Sequence, residues 1–307
     1  MMLGRIVEIA DNNRHLSVYR GFLVVKATDG DKKELGRIPC DDICALIVNA
    51  YGVSYTNNVL IMLAEKGAPF VLCANNHNAI GMLWPIGGNF EVSKRIDAQI
   101  NAKLPLKKRL WAELIKNKIA QQANVLRAIE VPDKPLSALV SKVRSGDPDN
   151  VEAQAARRYW TLLFGKDFRR DRRGEGANAL LNYGYTILRA TVARAVIAAG
   201  LHPSIGIHHS NASNPMRLVD DLIEPFRPYV DYQVYQLLQE GVNDVNPDSK
   251  RQLARLMYED LVTEAGMVPI TVCAQKLAVS LAQVYLGERE KLELPLIGAP
   301  IILGAIM

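Results

Sequence analysis

The chain has 307 residues, of which 49% are hydrophobic, and its mean hydropathy is zero. This composition predicts a folded, soluble protein of one large or two ordinary domains. No stretch contains the roughly 18 uncharged apolar residues that span a bilayer, which argues against a membrane protein, and no signal peptide is predicted. The net charge of +5 permits nucleic-acid binding without identifying it.

Residues 1–86 are predicted to form a β-rich domain. Short β-branched runs such as RIVEIA and FLVVKAT favour strands, and Arg20-Gly21 separates two of them. The apolar runs ICALIVN and PFVLC are typical of strands covered on both faces. Between them VLIMLAEKG reads as a helix that ends at Gly67. We therefore expect two small sheets and one helix.

A linker is predicted at 87–96, after the Pro- and Gly-rich PIGGNF, and an α-helical domain at 97–307. Helix formers at helical spacing already begin near residue 92 and continue to about 130. Lysines, among them Lys116 and Lys118, are interleaved with these apolar residues. A solvated helix face explains most such lysines, and a stripe that follows a phosphate backbone is the alternative.

A helix is predicted over about 148–163, because Asp147-Pro148 is a helix-start signal. Glu152 lies early in this helix, where a favourable interaction with the helix dipole could alone explain it. Small alanines on the same face leave room for a ligand beside its carboxylate. Arg157 and Arg158 follow one turn later.

The densest basic cluster lies in the Gly-punctuated loop 165–178 and comprises Arg169, Arg170, Arg172 and Arg173. Such a run is either simply solvated or a phosphate contact. A long apolar helix follows, with Asn178 predicted to cap it and Gly200 to end it. Asn182 and Tyr183 place polar groups inside its apolar pattern, where they need partners.

Residues 205–228 combine histidines with an acidic helix. His208 and His209 precede Asn214-Pro215, which predicts a helix start. On that helix the spacing of Asp220, Asp221 and Glu224 places Glu224 on one face with each aspartate. Imidazole plus carboxylate ligands suit Mg²⁺ or Mn²⁺, and also Zn or Fe. Histidines beside an acidic helix are more often solvent-exposed polar residues or part of a hydrogen-bond network that caps the helix, and these explanations and a metal site all remain open at this point.

Helices are also predicted over 229–241, 249–266 and 271–288. The chain lacks a GxGxxG or GxxxxGK[ST] motif, so no nucleotide cofactor is indicated. Its four cysteines form no CxxC pair, which favours a reducing cytoplasm over a disulfide or cysteine-zinc protein. The predicted fold class is α+β: a small N-terminal β-rich domain followed by a larger all-α C-terminal domain.

Three stretches in this order, GDPDNVEAQAARRYW, GANALLNYGYTILRA and IGIHHSNASNPMRLVDDLIEPFRP, resemble the CRISPR-associated adaptation integrase, the universal first Cas protein. The form GIHHSN followed by LVDDLIEPFRPYVD is most similar to the branch that accompanies type II CRISPR systems. The resemblance extends over essentially the whole chain.

The resemblance implies a catalytic Mg²⁺ or Mn²⁺ site formed by Glu152, His209 and Glu224. Asp221 is the alternative third ligand, and a contribution from Asp220 stays open. His208 would point away from the metal, since side chains alternate along an extended segment. The arginines expected to hold DNA are Arg157, Arg158, Arg169, Arg170, Arg172, Arg173 and Arg217.

The function implied is CRISPR spacer acquisition, in which the 3′-hydroxyl ends of short DNA fragments are joined to the repeat of a CRISPR array. Its implied partners are double-stranded DNA, a second copy of the chain, a small second Cas protein that bridges two dimers, and other type II CRISPR proteins. The β-rich domain would serve dimerisation and partner binding. The residues alone leave three alternatives: a simple metal-dependent nuclease, a non-catalytic DNA-binding scaffold, and a metal hydrolase of small molecules.

Overall fold

The structure is a computed structural model that describes residues 5–30, 33–73, 79–83, 91–264, 266–299 and 301. The chain divides into two compact units, 1–90 and 91–307. The predicted fold class is confirmed, because strands dominate the first unit and helices the second.

In its described residues the first unit contains two four-stranded sheets and one α-helix, as expected. Its elements are β1 (Arg5–Ile9), β2 (Arg14–Tyr19), β3 (Phe22–Ala27), β4 (Glu34–Pro39), β5 (Ile43–Val48), β6 (Val53–Tyr55), α1 (Asn57–Glu65), β7 (Phe70–Cys73) and β8 (Ala79–Leu83). The strand orders are β1-β5-β7-β8 and β4-β3-β2-β6. Strands β1, β5 and β7 run parallel and are rich in buried apolar residues, as their continuous apolar runs predicted.

The hairpin between β2 and β3 shows why the sequence predicts this unit well. Tyr19 pairs with Phe22, and the two residues between them, Arg20 and Gly21, both have positive φ. Two positive φ angles are typical of a type I′ turn, whose twist matches that of the flanking strands. Local turn chemistry therefore fixes the strand register here.

The second unit is largely helical. It contains α2 (Val92–Ile100), α3 (Leu104–Ala128), α4 (Lys134–Val140), α5 (Val151–Phe164), α6 (Ala177–Ala198), α7 (Arg217–Leu222), α8 (Arg227–Gln239), α9 (Pro247–Arg255), β9 (Asp260–Thr263), β10 (Gly266–Pro269) and α10 (Ile270–Leu286). Helices α3 and α6 are buried over most of their length and form the centre of the unit. Helices α5, α7 and α8 contact α3, which brings their polar ends towards one region of that helix.

The single helix predicted over 249–266 is wrong in its second half. Helix α9 ends at Arg255, and β9 and β10 form an antiparallel hairpin. The segment after Tyr258 contains Leu261, Val262 and Thr263, and the β-branched members of this run favour a strand. The C-terminal unit is thus helical with one small hairpin, not wholly α.

Other boundaries differ by a few residues. Residues 92–96 of the expected linker belong to α2, and 84–90 lie outside the described residues. Helix α6 is preceded by Gly176, so Asn178 lies inside it and does not cap it, whereas Gly200 follows its end with φ of 71° as predicted. Helix α7 begins at Arg217, two residues after Pro215. No helix within the described ranges is long and apolar enough to cross a bilayer.

Candidate metal and nucleic-acid site

A buried lysine joins the two glutamates that the sequence singled out. Lys118 of α3 places its Nζ 2.6 Å from Oε1 of Glu152 and 2.6 Å from Oε2 of Glu224. The lysine side chain is 11% exposed, that of Glu152 27% and that of Glu224 5%. Burial lowers the pKa of Lys118, but the two carboxylates raise it further, so its pKa lies above the ordinary value and the side chain is charged.

Glu152 is positioned by the cap of α5. The Asp147 carboxylate accepts hydrogen bonds from the backbone N–H of Val151 (2.9 Å) and of Glu152 (3.0 Å). Asp147 and Asn150 both have positive φ, so the chain turns tightly just before the helix begins at Val151. The predicted start at Asp147-Pro148 is therefore three residues too early, because α5 begins at Val151 after Asn150. The Asp147 side chain still accepts the first amides of the helix, and Glu152 lies in the first turn, facing Lys118.

Glu224 lies in the short 3-10 turn between α7 and α8, where Pro225 interrupts the α-helix. Its Oε1 is 3.0 Å from Nε of Arg227, and its Oε2 faces Lys118. Burial raises the pKa of Glu224, but Arg227 and Lys118 outweigh burial and hold the pKa below its ordinary value. Glu224 is therefore an ionised, buried carboxylate with a cation at each oxygen.

Asp221 organises the histidine loop. Its Oδ2 accepts the backbone N–H of Ile207 (2.6 Å) and His208 (3.1 Å). Its Oδ1 accepts the backbone N–H of His209 (3.2 Å) and lies 2.6 Å from Nδ1 of that imidazole. Since a carboxylate only accepts, Nδ1 carries the proton, and Nε2 of the neutral ring keeps its lone pair. The hydrogen bond to Asp221 raises the pKa of His209, which Glu224 and Asp220 raise further.

These contacts separate the roles of the three acidic residues. Asp221 is fully buried and its oxygens are occupied by the histidine loop. Asp220 is held by Arg189, 2.8 Å from its Nε, and by the amide of Asn214 at 2.7 Å. Of these three residues, it is Glu224, in the 3-10 turn after α7, that meets Glu152 through a shared partner. The geometry therefore favours Glu224 over Asp221 as the third candidate ligand.

The Trp111 ring of α3 contacts the rings of both His208 and His209. The ring of His208 stacks on it at 4.2 Å with an interplanar angle of 4°, and His209 meets its edge at 5.8 Å. The Trp111 side chain is buried, whereas His208 is exposed. Stacking thus fixes His208 on Trp111, while His209 faces Asp221.

The donor set fits a hard divalent cation. Two carboxylates and one imidazole nitrogen are suitable ligands for Mg²⁺ or Mn²⁺. Glu224 Oε2 is buried, and no well-directed hydrogen bond reaches it from the described residues although Lys118 is in ionic contact. Within the same residues no three His, Cys, Asp or Glu side chains converge into a complete metal shell. The two glutamates meet around the lysine ammonium instead.

The predicted DNA-binding arginines fall into two groups. Arg157, Arg158, Arg169, Arg172 and Arg173 are exposed. Arg217 and Arg170 are half-buried, and the Arg170 guanidinium donates to Oδ1 of Asn178 (3.0 Å) and of Asn182 (2.6 Å). Burial lowers the pKa of Arg170. Asn182 also donates to the carbonyl of Arg172 at 3.0 Å, so it braces the arginine loop, as its place in an apolar helix suggested.

A second buried network lies behind Arg227. The guanidinium lies 4.7 Å from the ring centroid of Tyr185, and the Tyr185 hydroxyl donates to Asp231. Asp231 is 1% exposed, and burial raises its pKa to about 7 despite these partners. This network therefore helps to hold Arg227 in its position facing Glu224.

Sequence reasoning missed Lys118, Trp111, Arg227 and Asp231. One signal for Lys118 was present: it follows Leu114 by four residues and Ile115 by three, so it lies on the apolar face of α3. A lysine on that face needs a buried partner, and the assumption of a solvated lysine was wrong here. The other three gave no comparable signal, because their roles depend on contacts between distant helices.

Comparison with known proteins identifies the family of this chain. A family model described as CRISPR associated protein Cas1 matches residues 7–258. The CRISPR-associated endonuclease Cas1 of Neisseria meningitidis serogroup C (strain 8013) is 34% identical over 260 residues, covering 83% of this chain and 84% of the relative.

Two solved structures share the fold. A casposase bound to integration product matches with a TM-score of 0.79 at 19% identity, covering 94% of this chain and 92% of the casposase. A Cas6-RT-Cas1–Cas2 complex matches with a TM-score of 0.76 at 16% identity, covering 97% of this chain and 37% of the longer one. Since the family model spans most of its length and the Neisseria relative covers four fifths of it, this chain belongs to the CRISPR associated protein Cas1 family.

Proposed function

We propose that this protein is a metal-dependent DNA integrase and endonuclease that acts in CRISPR spacer acquisition. The observation that carries the proposal is the pairing of Glu152 and Glu224, 2.6 Å on either side of one nitrogen. Asp221 orients His209 through the Nδ1 atom, so this hydrogen bond does not occupy Nε2. The exposed arginines supply the charge that a phosphate backbone requires.

The reaction is a phosphodiester transesterification. The 3′-hydroxyl of a short DNA fragment attacks the phosphodiester at the border of a repeat; a new O3′–P bond forms, and the bond to the original 3′-oxygen breaks. Water in place of the hydroxyl gives endonuclease cleavage. Mg²⁺ or Mn²⁺, when bound by Glu152, His209 and Glu224, would stabilise the charge that builds on the phosphate and lower the pKa of the attacking hydroxyl.

The protein's own residues prepare these ligands. Arg227 and Lys118 keep Glu224 ionised although it is buried. Asp221 holds the Nδ1 proton of His209, so Nε2 is the nitrogen available for a ligand. The exposed arginines, among them Arg172 and Arg173, would bind phosphates with little base specificity.

The partners follow from the same proposal. The casposase of similar fold is bound to an integration product, and the other similar structure is a complex that contains Cas2. We expect this chain to bind double-stranded DNA, to dimerise and to assemble with a small second Cas protein of that kind. Light scattering of the chain alone and with that protein measures both associations.

A strand-transfer assay tests the function. Short duplexes with 3′-hydroxyl ends, a repeat-bearing plasmid and Mg²⁺ or Mn²⁺ should give joined products with the wild type. Glu152→Gln and Glu224→Gln should lose joining by a factor of at least about 100 while circular dichroism shows a folded chain. Glu175→Gln, at an exposed position of the arginine loop, is the control and should join normally.

The alternatives give different results. Cleavage without joining would indicate a simple nuclease, and joining that is unchanged in both glutamine variants would indicate a scaffold whose chemistry lies elsewhere. A chain that does not bind DNA at low salt would support a small-molecule hydrolase.

A further inference from the structure

We propose that Lys118 is an internal counter-cation that holds Glu152 and Glu224 together in the absence of metal. To bind, a divalent cation must displace the lysine ammonium from at least one of the two glutamates. The inference rests on the proposed function, because it concerns the same two carboxylates. It assigns to this lysine a role opposed to metal binding: the ammonium sets the concentration at which the site fills.

The position of the ammonium is the first argument. Lys118 Nζ lies 2.6 Å from one oxygen of each glutamate, which is the place a bridging cation takes. The residues on either side of Lys118, Asn117 and Ile119, are both buried, so the backbone of α3 cannot swing aside to release the lysine. Only the flexible side chain can move, and its four-carbon stem allows that movement.

Charge is the second argument. Two carboxylates brought this close repel each other unless a cation lies between them. Arg227 reaches Glu224 at 3.0 Å, and Lys118 is in ionic contact with both glutamates. A doubly charged ion beside the ammonium would be repelled by it, and the repulsion is strong where water is excluded. Removal of the lysine charge therefore favours the metal while it destabilises the metal-free protein.

A purely structural ion pair would behave differently. If Lys118 only supported the fold or only oriented Glu152, its loss would weaken metal binding, because the two carboxylates would separate. The two roles thus predict opposite changes in metal affinity, although both predict lower stability without metal.

Mn²⁺ titration of Lys118→Met tests the inference. Methionine keeps most of the lysine volume and removes the charge. The dissociation constant of Mn²⁺, measured from the electron paramagnetic resonance signal of the free ion, should fall about tenfold or more below the wild-type value. The Tm in EDTA should fall, and the rise in Tm on addition of Mn²⁺ should be larger than in the wild type. Lys116→Met, a half-buried lysine on the same helix, is the matched control and should match the wild type.

An unchanged or weaker Mn²⁺ affinity in Lys118→Met would overturn the inference. If that variant does not fold, the wild type labelled with ¹⁵N-lysine can be studied by nuclear magnetic resonance instead. Addition of Mg²⁺ should shift the protected Nζ resonance of Lys118. A resonance that stays unchanged at saturating Mg²⁺ would overturn the inference. Failure of the proposed function would give a different result. In that case the wild type would show no Mn²⁺ binding that is lost in Glu152→Gln and Glu224→Gln.

Discussion

At the scale of single residues, Asp221 anchors the histidine loop, and under the proposed function it would act through His209 without touching the metal. It accepts three backbone N–H groups and the imidazole Nδ1, all within 3.2 Å. In Asp221→Asn an NH₂ group replaces one carboxylate oxygen. This group faces the hydrogen-bond donors of the histidine loop and cannot accept from them, so the loop loses its anchor. We expect the Mn²⁺ affinity to fall by about 10- to 100-fold, a range typical of residues that orient metal ligands.

The same titration with Asp149→Asn, a change at an exposed aspartate, is the control for this prediction. Thermal unfolding should show that Asp221→Asn still folds. An Mn²⁺ affinity equal to that of the wild type would show that Asp221 does not position the histidine.

Asp231 gives a prediction about pH. Burial raises its folded-state pKa to about 7 from the ordinary 3.8, so the folded protein binds this proton more tightly than the unfolded chain. The free energy of unfolding should therefore decline as the pH rises from about 4 to 7, by about 4 kcal/mol at most from this group. Asp231→Asn removes this loss.

Urea unfolding of the wild type and of Asp231→Asn across this pH range measures the effect. The difference in stability between the two should shift in favour of the variant as the pH rises. Two curves that run parallel would show that Asp231 does not titrate in this window.

At the scale of elements, the loop 205–210 is held close to α7 by the absence of a side chain at Gly206. A Cβ there would lie 2.7 Å from the carbonyl oxygen of His209, 2.9 Å from Oδ2 of Asp221 and 3.0 Å from Cβ of Arg217. Gly206→Ala must push the loop away from Asp221, because two of the three neighbours are backbone or buried carboxylate. We expect loss of His209 orientation and at least a tenfold loss of DNA joining.

Gly241→Ala is a control that separates this clash from a general effect of losing a glycine, since a Cβ at Gly241 would meet nothing within 4 Å, although its φ of 80° adds backbone strain. Normal joining by Gly206→Ala would show that the loop tolerates displacement. A change in the His209 resonances on the same variant would confirm that the loop moved.

At the scale of the whole molecule, the cationic side chains behind the net charge of +5 are not all available at the surface. Arg172 and Arg173 are exposed, whereas Arg170 is half-buried and bound to Asn178 and Asn182. Arg172→Ala with Arg173→Ala should weaken DNA binding and reduce the slope of log affinity against log salt by about 1 for each arginine in contact with phosphate.

Fluorescence anisotropy of a labelled duplex at several salt concentrations gives this slope. Lys142→Ala, another exposed cation, is the comparison for loss of charge alone. Arg170→Ala should instead lower the Tm, because it removes internal hydrogen bonds of the arginine loop. An unchanged salt slope in the double variant would place the DNA contact elsewhere.

Features that local chemistry controls could be predicted from the amino-acid sequence. The apolar runs predicted the parallel strands of the first unit and Gly200 the end of α6, because strand burial and positive φ depend on a few neighbouring residues. Asp147-Pro148 predicted a helix near the right place but three residues too early, since α5 begins at Val151. Similarity of the three motifs to one family also marked Glu152, His209 and Glu224 as candidates.

The spatial relation between these candidates became visible only in the folded chain. Glu152 and Glu224 are far apart in the chain, and only the packing of α5 and of the 3-10 turn before α8 against α3 brings them to Lys118. The same packing assigns Asp221 to the histidine loop and Asp220 to Arg189, a division that helical spacing could not make. The physical reason is that a buried charge takes its role from partners that other helices bring to it, and these contacts between distant segments leave no periodic pattern in the sequence.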